Sequence, residues 1–201
     1  MAFEIELKVR LDDCEPVKKR LFSMGKYVRS YKKSDSYWLS AEADSYGVRV
    51  RRDHGVDESD VVSETTLVTY KLKEISGGVE INEESEFTVS DTEVFEQLLE
   101  RLGLKKAIQK EKNGWAWAIR VAQSEVQSAI QPEILAELSM VTGLGWFLEL
   151  EIICEDNRKQ TVADSRKRLF ALLKQLEIPA DRIESRPYTE LLKELGMRKE
   201  E

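Results

Sequence analysis

From Phe3 to Arg10 the chain reads Phe-Glu-Ile-Glu-Leu-Lys-Val-Arg, a strict alternation of apolar and charged residues. Period two is the signature of a strand with two unlike faces. The same spacing returns along the chain: Arg49 and Arg51 share a face, as do Lys71 and Lys73, Glu80 through Glu86, Lys110 and Lys112, and Glu149 and Glu151. Each charged set is interleaved with apolar residues such as Ile5, Val50, Leu72 and Leu150. Two architectures satisfy this pattern. One is an open antiparallel sheet with helices over its apolar face and opposite charges paired on the wet face. The other closes the strands into a barrel, with the charged faces turned into the bore and the helices outside.

The remaining pattern predicts where the elements lie. Residues 14–24 carry Val17, Leu21 and Met24 at helical spacing before Gly25. Strands are expected over 27–39, 46–53, 67–74 and 79–89, the last two joined at Gly77-Gly78. The hydrophilic stretch His54–Thr65 reads as a loop. Ser90 or Asp91 caps a helix to Leu102, ended by Gly103. Lys105–Lys112 and Trp115–Val121 form an expected hairpin around Asn113-Gly114, and Ala122–Pro132 reads as a loop or short helical insertion. Strands at 134–141 and 146–154 follow, then helices at 162–176 and 188–195. No repeat or composition break divides the chain, so residues 1–201 are read as one domain of α+β class.

Composition narrows the function. The 201 residues are 41% hydrophobic and 34% charged, with 31 Lys plus Arg against 38 Asp plus Glu, a net charge of −7. No apolar run is long enough to span a bilayer, and the start lacks the basic-then-apolar pattern of a secretory signal. An acidic chain does not offer a general nucleic-acid surface. Two distant cysteines, Cys14 and Cys154, suit a reducing, cytoplasmic compartment with both thiols inert. One histidine, His54, leaves histidine-based zinc sites and Ser-His triads without their main ingredient. A bore carrying both signs suits a metal–triphosphate, because carboxylates hold Mg²⁺ or Mn²⁺ while Lys and Arg neutralise phosphate oxygens.

Glu4-Ile-Glu6-Leu-Lys8 resembles the ExExK signature of the CYTH superfamily, the triphosphate tunnel metalloenzymes. In the same order come Asp35-Ser-Tyr37-Trp38, Val48-Arg49-Val50-Arg51, Thr69-Tyr70-Lys71, Glu84-Ser-Glu86, Lys110-Glu-Lys112, the Gly143-Leu144-Gly145 turn leading to Glu149-Leu-Glu151, and Arg186-Pro-Tyr188-Thr-Glu-Leu191-Leu192. The resemblance covers nearly the whole chain. It implies an eight-stranded antiparallel closed β-barrel with helices packed outside.

It also implies roles. Glu4, Glu6, Glu149 and Glu151 match metal-binding carboxylates, and Glu84 and Glu86 match an acidic pair that holds a second metal or orients water. Lys8, Arg49, Arg51, Lys71, Lys110, Lys112 and Arg186 match the phosphate-gripping residues, with Lys73 on the face of Lys71. Many relatives carry Asp where this chain has Ser139; Glu137, two residues earlier on the same strand face, is a candidate replacement ligand. Asn82 stands where relatives often have Arg, and Lys112 replaces an Arg, a point charge for a planar fork. The implied activity is Mg²⁺- or Mn²⁺-dependent hydrolysis of a small-molecule triphosphate: inorganic, nucleoside or thiamine triphosphate. A class IV adenylate cyclase is the alternative within the fold, although the His-Phe pair that accompanies ExExK in cyclases is absent ahead of Glu4. A non-catalytic triphosphate-binding module is the alternative from another class, supported by Ser139. Trp38, Trp115, Trp117 and Trp146 are open to base stacking or packing. A homodimer is compatible with the sequence and not required by it.

Overall fold

The computed structural model describes residues 2–40, 47–76, 78–120 and 132–200, and within these the side chains of 2, 71–76, 84 and 197–200 are not described. Eight strands appear in chain order: β1 (Ala2–Leu11), β2 (Lys26–Ser40), β3 (Val48–Asp57), β4 (Val62–Ser76), β5 (Val79–Val89), β6 (Leu104–Ile119), β7 (Ile134–Val141) and β8 (Gly145–Cys154). The helices are α1 (Glu15–Met24), α2 (Thr92–Arg101), α3 (Lys159–Gln175) and α4 (Tyr188–Glu200), with a single 3₁₀ turn at Ala180–Arg182. The strand order is β1-β5-β4-β3-β2-β6-β7-β8, and β1 also pairs with β8, so the antiparallel sheet closes into a barrel.

Closure decides which of the two architectures the alternation builds. Ile5, Leu7 and Val9 of β1 point outward and are fully buried with Leu148, Leu150 and Ile152 of β8, Leu21 of α1, and Leu169 and Leu172 of α3. A second apolar cluster, Trp38, Val50, Val68 and Leu99, lies beneath α2. The even-numbered partners on β1 turn the other way: Glu6 and Lys8 line a cavity within the bore. Burying a leucine at such a site stabilises the fold by roughly 1.5–3 kcal/mol, which is why the helices settle on the apolar outside of the barrel.

Two expectations fail. His54–Thr65 is not a loop: β3 runs on through His54 to Asp57, and β4 returns from Val62 in register, with His54 opposite Glu64 and Gly55 opposite Ser63. Hydrophilic residues suit this hairpin because its strands need no buried face. The proposed hairpin at Asn113-Gly114 is also absent, because β6 is one strand of 16 residues. Gly114 is required there for close approach, since a Cβ would lie 2.1 Å from the Leu138 carbonyl oxygen of β7. The Asn-Gly signal marked crowding rather than a turn.

Other expectations match. Asp91 caps α2 by accepting from the Val94 amide, and Gly103 follows with φ +85°. Gly78 takes φ +83° in the β4–β5 turn, while Gly77 lies outside the described residues. So do residue 46 and most of the expected Ala122–Pro132 insertion. Both cysteines are buried free thiols. No helix among the described residues is long and apolar enough to cross a membrane.

Candidate active site

Charged residues enter the bore because alternation leaves them no other face, and cross-strand register then decides which meet. Asp35 on β2 lies between Arg51 on β3 and Lys110 on β6. Arg51 donates to it through Nε (2.7 Å) and Nη2 (2.9 Å), and Lys110 Nζ lies 2.9 Å from Oδ2. Burial alone would raise the Asp35 pKa, but the Arg51 and Lys110 charges outweigh it and hold the carboxyl well below its usual range. Asp35 reciprocally raises Arg51 against its own burial.

A second network links β2, β6, β7 and β8. Lys33 Nζ donates to Glu137 Oε1 at 2.5 Å, while Lys112 Nζ bridges Glu137 Oε2 at 3.0 Å and Glu149 Oε2 at 2.5 Å. The Tyr31 ring lies beneath both ammonium groups, 4.3 Å from Lys33 and 5.7 Å from Lys112. Burial would raise Glu149, but Lys112 leads the charges that bring it down to about 2. Burial lowers Lys33 to about 8 despite the opposing Glu137 charge.

Sharing Arg51, Lys110 and Glu149 with these networks is a cavity of about 640 Å³, reached also by Lys8 and Glu6 (β1), Arg49 (β3), and Glu80 and Asn82 (β5). Pro187, Tyr188, Thr189, Glu190 and Lys193 at the amino end of α4 complete its wall. Tyr188 is nearly buried, packs edge-on against Phe147 and sits between the ammonium groups of Lys8 (4.6 Å) and Lys110 (4.7 Å). Burial, then the Glu149 and Glu6 charges, raise its phenol well above the ordinary value, so it remains protonated as a neutral donor. Arg49 Nη2 donates to Thr69 Oγ1 at 2.9 Å, and Thr69 donates to Glu86 Oε2 at 3.0 Å.

Of the residues anticipated from sequence, Glu6, Lys8, Arg49, Arg51, Lys110 and Glu149 therefore converge on one cavity. Lys112 and Glu137 are drawn instead into the buried network beside it. Among the described residues Glu86 meets the site through Thr69 and Arg49, and its side chain is 38% exposed. Glu4 and Glu151 are half-buried and are not among the residues lining the cavity. Arg186 departs furthest: its guanidinium is bound to Glu184 and Glu194 at a partly exposed position, and only its backbone carbonyl meets the site, accepting from Lys8 Nζ at 2.7 Å. The side chains of Lys71, Lys73 and Glu84 lie outside the described residues; their backbones pair Lys71 with Glu84 and Lys73 with Asn82.

Lys33, Asp35, Tyr31 and Tyr188 were not singled out as site residues. The first three share the odd-numbered face of β2 with Tyr37, and extending the parity argument to that strand would have found them. The tryptophans pack: Trp38 and Trp117 are fully buried, and Trp115 stacks on Trp146 at 6.0 Å.

The donor set is oxygen-only, the chemistry that Mg²⁺ or Mn²⁺ prefers, with Glu6, Glu80 and Glu149 reaching the cavity from the adjacent strands β1, β5 and β8. Among the described residues, no three acidic, histidine or cysteine side chains are gathered into a ready cage. These carboxylates suit a cation that shares its coordination with oxygens of a bound ligand.

A closed antiparallel barrel thus carries charged side chains of both signs on the wall of a single cavity. The chain belongs to the CYTH domain family, whose model matches residues 2–188. Among solved structures it is similar to the PH1819 protein of Pyrococcus horikoshii, at 22% identity, covering 95% of this chain and 98% of that one with a TM-score of 0.73. It is also similar to a Vibrio parahaemolyticus protein provisionally described as an adenylate cyclase, at 18% identity, 95% and 98% coverage and a TM-score of 0.67. A more distant likeness is to a Hippeastrum protein described as having a dominant triphosphatase activity, at 14% identity, 89% coverage of each chain and a TM-score of 0.52. No curated protein matches the chain by sequence. At these identities the structural likenesses show the fold alone.

Proposed function

We propose that the protein is a divalent-metal-dependent hydrolase of a triphosphate compound. One observation carries this reading: Lys8, Arg49, Arg51 and Lys110, from three strands distributed around the barrel, reach a single cavity that also receives Glu6 and Glu149. A triphosphate needs cations spread along its length, and isolated surface charges cannot supply them because solvent screens them. Lys8 and Lys110 flank the Tyr188 ring and would neutralise neighbouring phosphates, while the Arg49 and Arg51 guanidiniums offer forked donors to phosphate oxygens. Glu6 and Glu149 would hold the cation, which when bound supplies further charge neutralisation at phosphate oxygens. Tyr188 and the buried wall restrict water around the chain of phosphates. Catalysis of this kind is positioning plus electrostatic stabilisation. A role for Glu84 in aligning the attacking water rests on the family resemblance.

The test is to incubate the pure protein with inorganic triphosphate, ATP or thiamine triphosphate and Mg²⁺ or Mn²⁺, then separate orthophosphate, pyrophosphate and cyclic AMP. Orthophosphate release that is lost in Glu149→Gln and in Arg49→Ala is expected. Cyclic AMP with pyrophosphate would replace this reading by a cyclase, and tight binding without turnover would replace it by a binding module.

A further inference from the structure

Asn82 lies on β5 opposite Glu4 of β1 and Lys73 of β4, and it lines the cavity. It is completely buried, 0% exposed, yet neither Nδ2 nor Oδ1 has a hydrogen-bond partner among the described residues. Buried amides are ordinarily satisfied, and one left bare carries a desolvation cost in the folded protein. A polar group kept at such a cost on the wall of a cavity points to a partner that arrives with the ligand.

The chemistry of the amide limits what that partner is. Nδ2 donates and Oδ1 accepts, so a single ligand group that satisfies both is donor and acceptor together. The ionised oxygens of a phosphate chain only accept. They would serve Nδ2 and leave Oδ1 facing negative charge. A sugar hydroxyl, or the donor–acceptor edge of a heterocyclic base, serves both atoms. Tyr37, Val48 and Pro187 add apolar surface to the same cavity, which an inorganic polyanion has no use for.

We infer that Asn82 is a specificity-determining contact for the organic portion of the ligand, and that this site takes a triphosphate ester of the nucleoside triphosphate class in preference to inorganic triphosphate. The inference rests on the triphosphate reading above. It is tested by calorimetric titration of the full-length wild type and Asn82→Leu with ATP and with inorganic triphosphate, each in the presence of Mg²⁺, alongside thermal unfolding. Leucine is close in volume and removes both bare polar atoms. The wild type is expected to bind ATP more tightly, and Asn82→Leu to lose roughly tenfold for ATP while inorganic triphosphate stays within about twofold and the unfolding temperature does not fall. Asn82→Ser, which keeps a donor and an acceptor, is expected to retain the preference for ATP and serves as the readout should the leucine variant not fold. Equal loss for both ligands, no loss for either, or a preference of the wild type for inorganic triphosphate would overturn the assignment. A wild type that binds neither ligand would instead defeat the triphosphate reading itself.

Discussion

Arg51 holds Asp35 with two parallel hydrogen bonds, 2.7 and 2.9 Å, while Lys110 meets the same carboxylate at 2.9 Å. The Asp35 side chain has no solvent exposure. One anion therefore bonds two cations inside the bore, and removing it deprives both of their direct carboxylate partner. Asp35→Asn is expected to destabilise the fold by about 3–5 kcal/mol in urea unfolding, because stranding buried charge costs more than the pair contributed. Inorganic triphosphate should restore part of the loss by supplying the missing negative charge. A variant within 1 kcal/mol of the wild type would show that Asp35 does not balance these cations.

Arg49 and Arg186 were equivalent candidates in the sequence and are inequivalent in the fold. Arg49 reaches the cavity, whereas Arg186 is bound outside it to Glu184 and Glu194. Arg49→Ala is expected to weaken inorganic triphosphate binding roughly ten- to a hundredfold, the range for losing a charge-assisted hydrogen bond, and Arg186→Ala to change it by no more than about twofold. Calorimetry on the two variants decides this; the reverse order would show that the guanidinium of Arg186 swings into the site.

Stability should fall on the acid side and recover on the alkaline side. Glu149 titrates at about 2 in the fold against an ordinary 4.5, so its contribution is present above 4.5 and is lost as pH falls from there toward 2. Lys33 is lowered from 10.5 to about 8 by burial, so the cost of keeping it charged is carried below 8 and disappears as pH rises from 8 to 10.5. Urea midpoints across pH 2–10.5 should trace both limbs. Lys33→Met should flatten the alkaline one, and an unchanged alkaline slope would dismiss the assignment to Lys33.

Two glycines should respond oppositely to alanine. At Gly114 the added Cβ meets the backbone of Leu138 and Ser139, which cannot move without separating β6 from β7, so Gly114→Ala should cost several kcal/mol or prevent folding. At Gly196, within α4, the Cβ meets nothing within 4 Å, and Gly196→Ala should stabilise by about 0.5–1 kcal/mol through helix propensity. Thermal unfolding of both variants checks the pair; a destabilised Gly196→Ala would contradict the open space around that position.

Much of the barrel was legible because alternation is a local property. Phe3–Arg10 announces β1 and its division into one apolar and one charged face without reference to any other strand. Asp91 and Gly103 likewise mark the ends of α2 through their own backbone chemistry. The errors arose where one residue type serves two physical purposes. Asn113-Gly114 reads as a turn, but Gly114 is there because β7 passes too close for a side chain. The hydrophilic His54–Thr65 stretch reads as a loop, but its hairpin is held by backbone pairing that polar side chains do not oppose.

The sequence by itself determined which residues are charged on which strand face and that those faces cannot be buried in an apolar core. Tertiary structure alone decided that the sheet closes, that Lys112 meets Glu137 and Glu149, that Arg186 remains outside, and that Asn82 has no hydrogen-bond partner among the described residues. The reason is physical: periodicity is set by neighbours along the chain, while pairing, burial and hydrogen-bond satisfaction are set by register between strands that lie far apart in sequence.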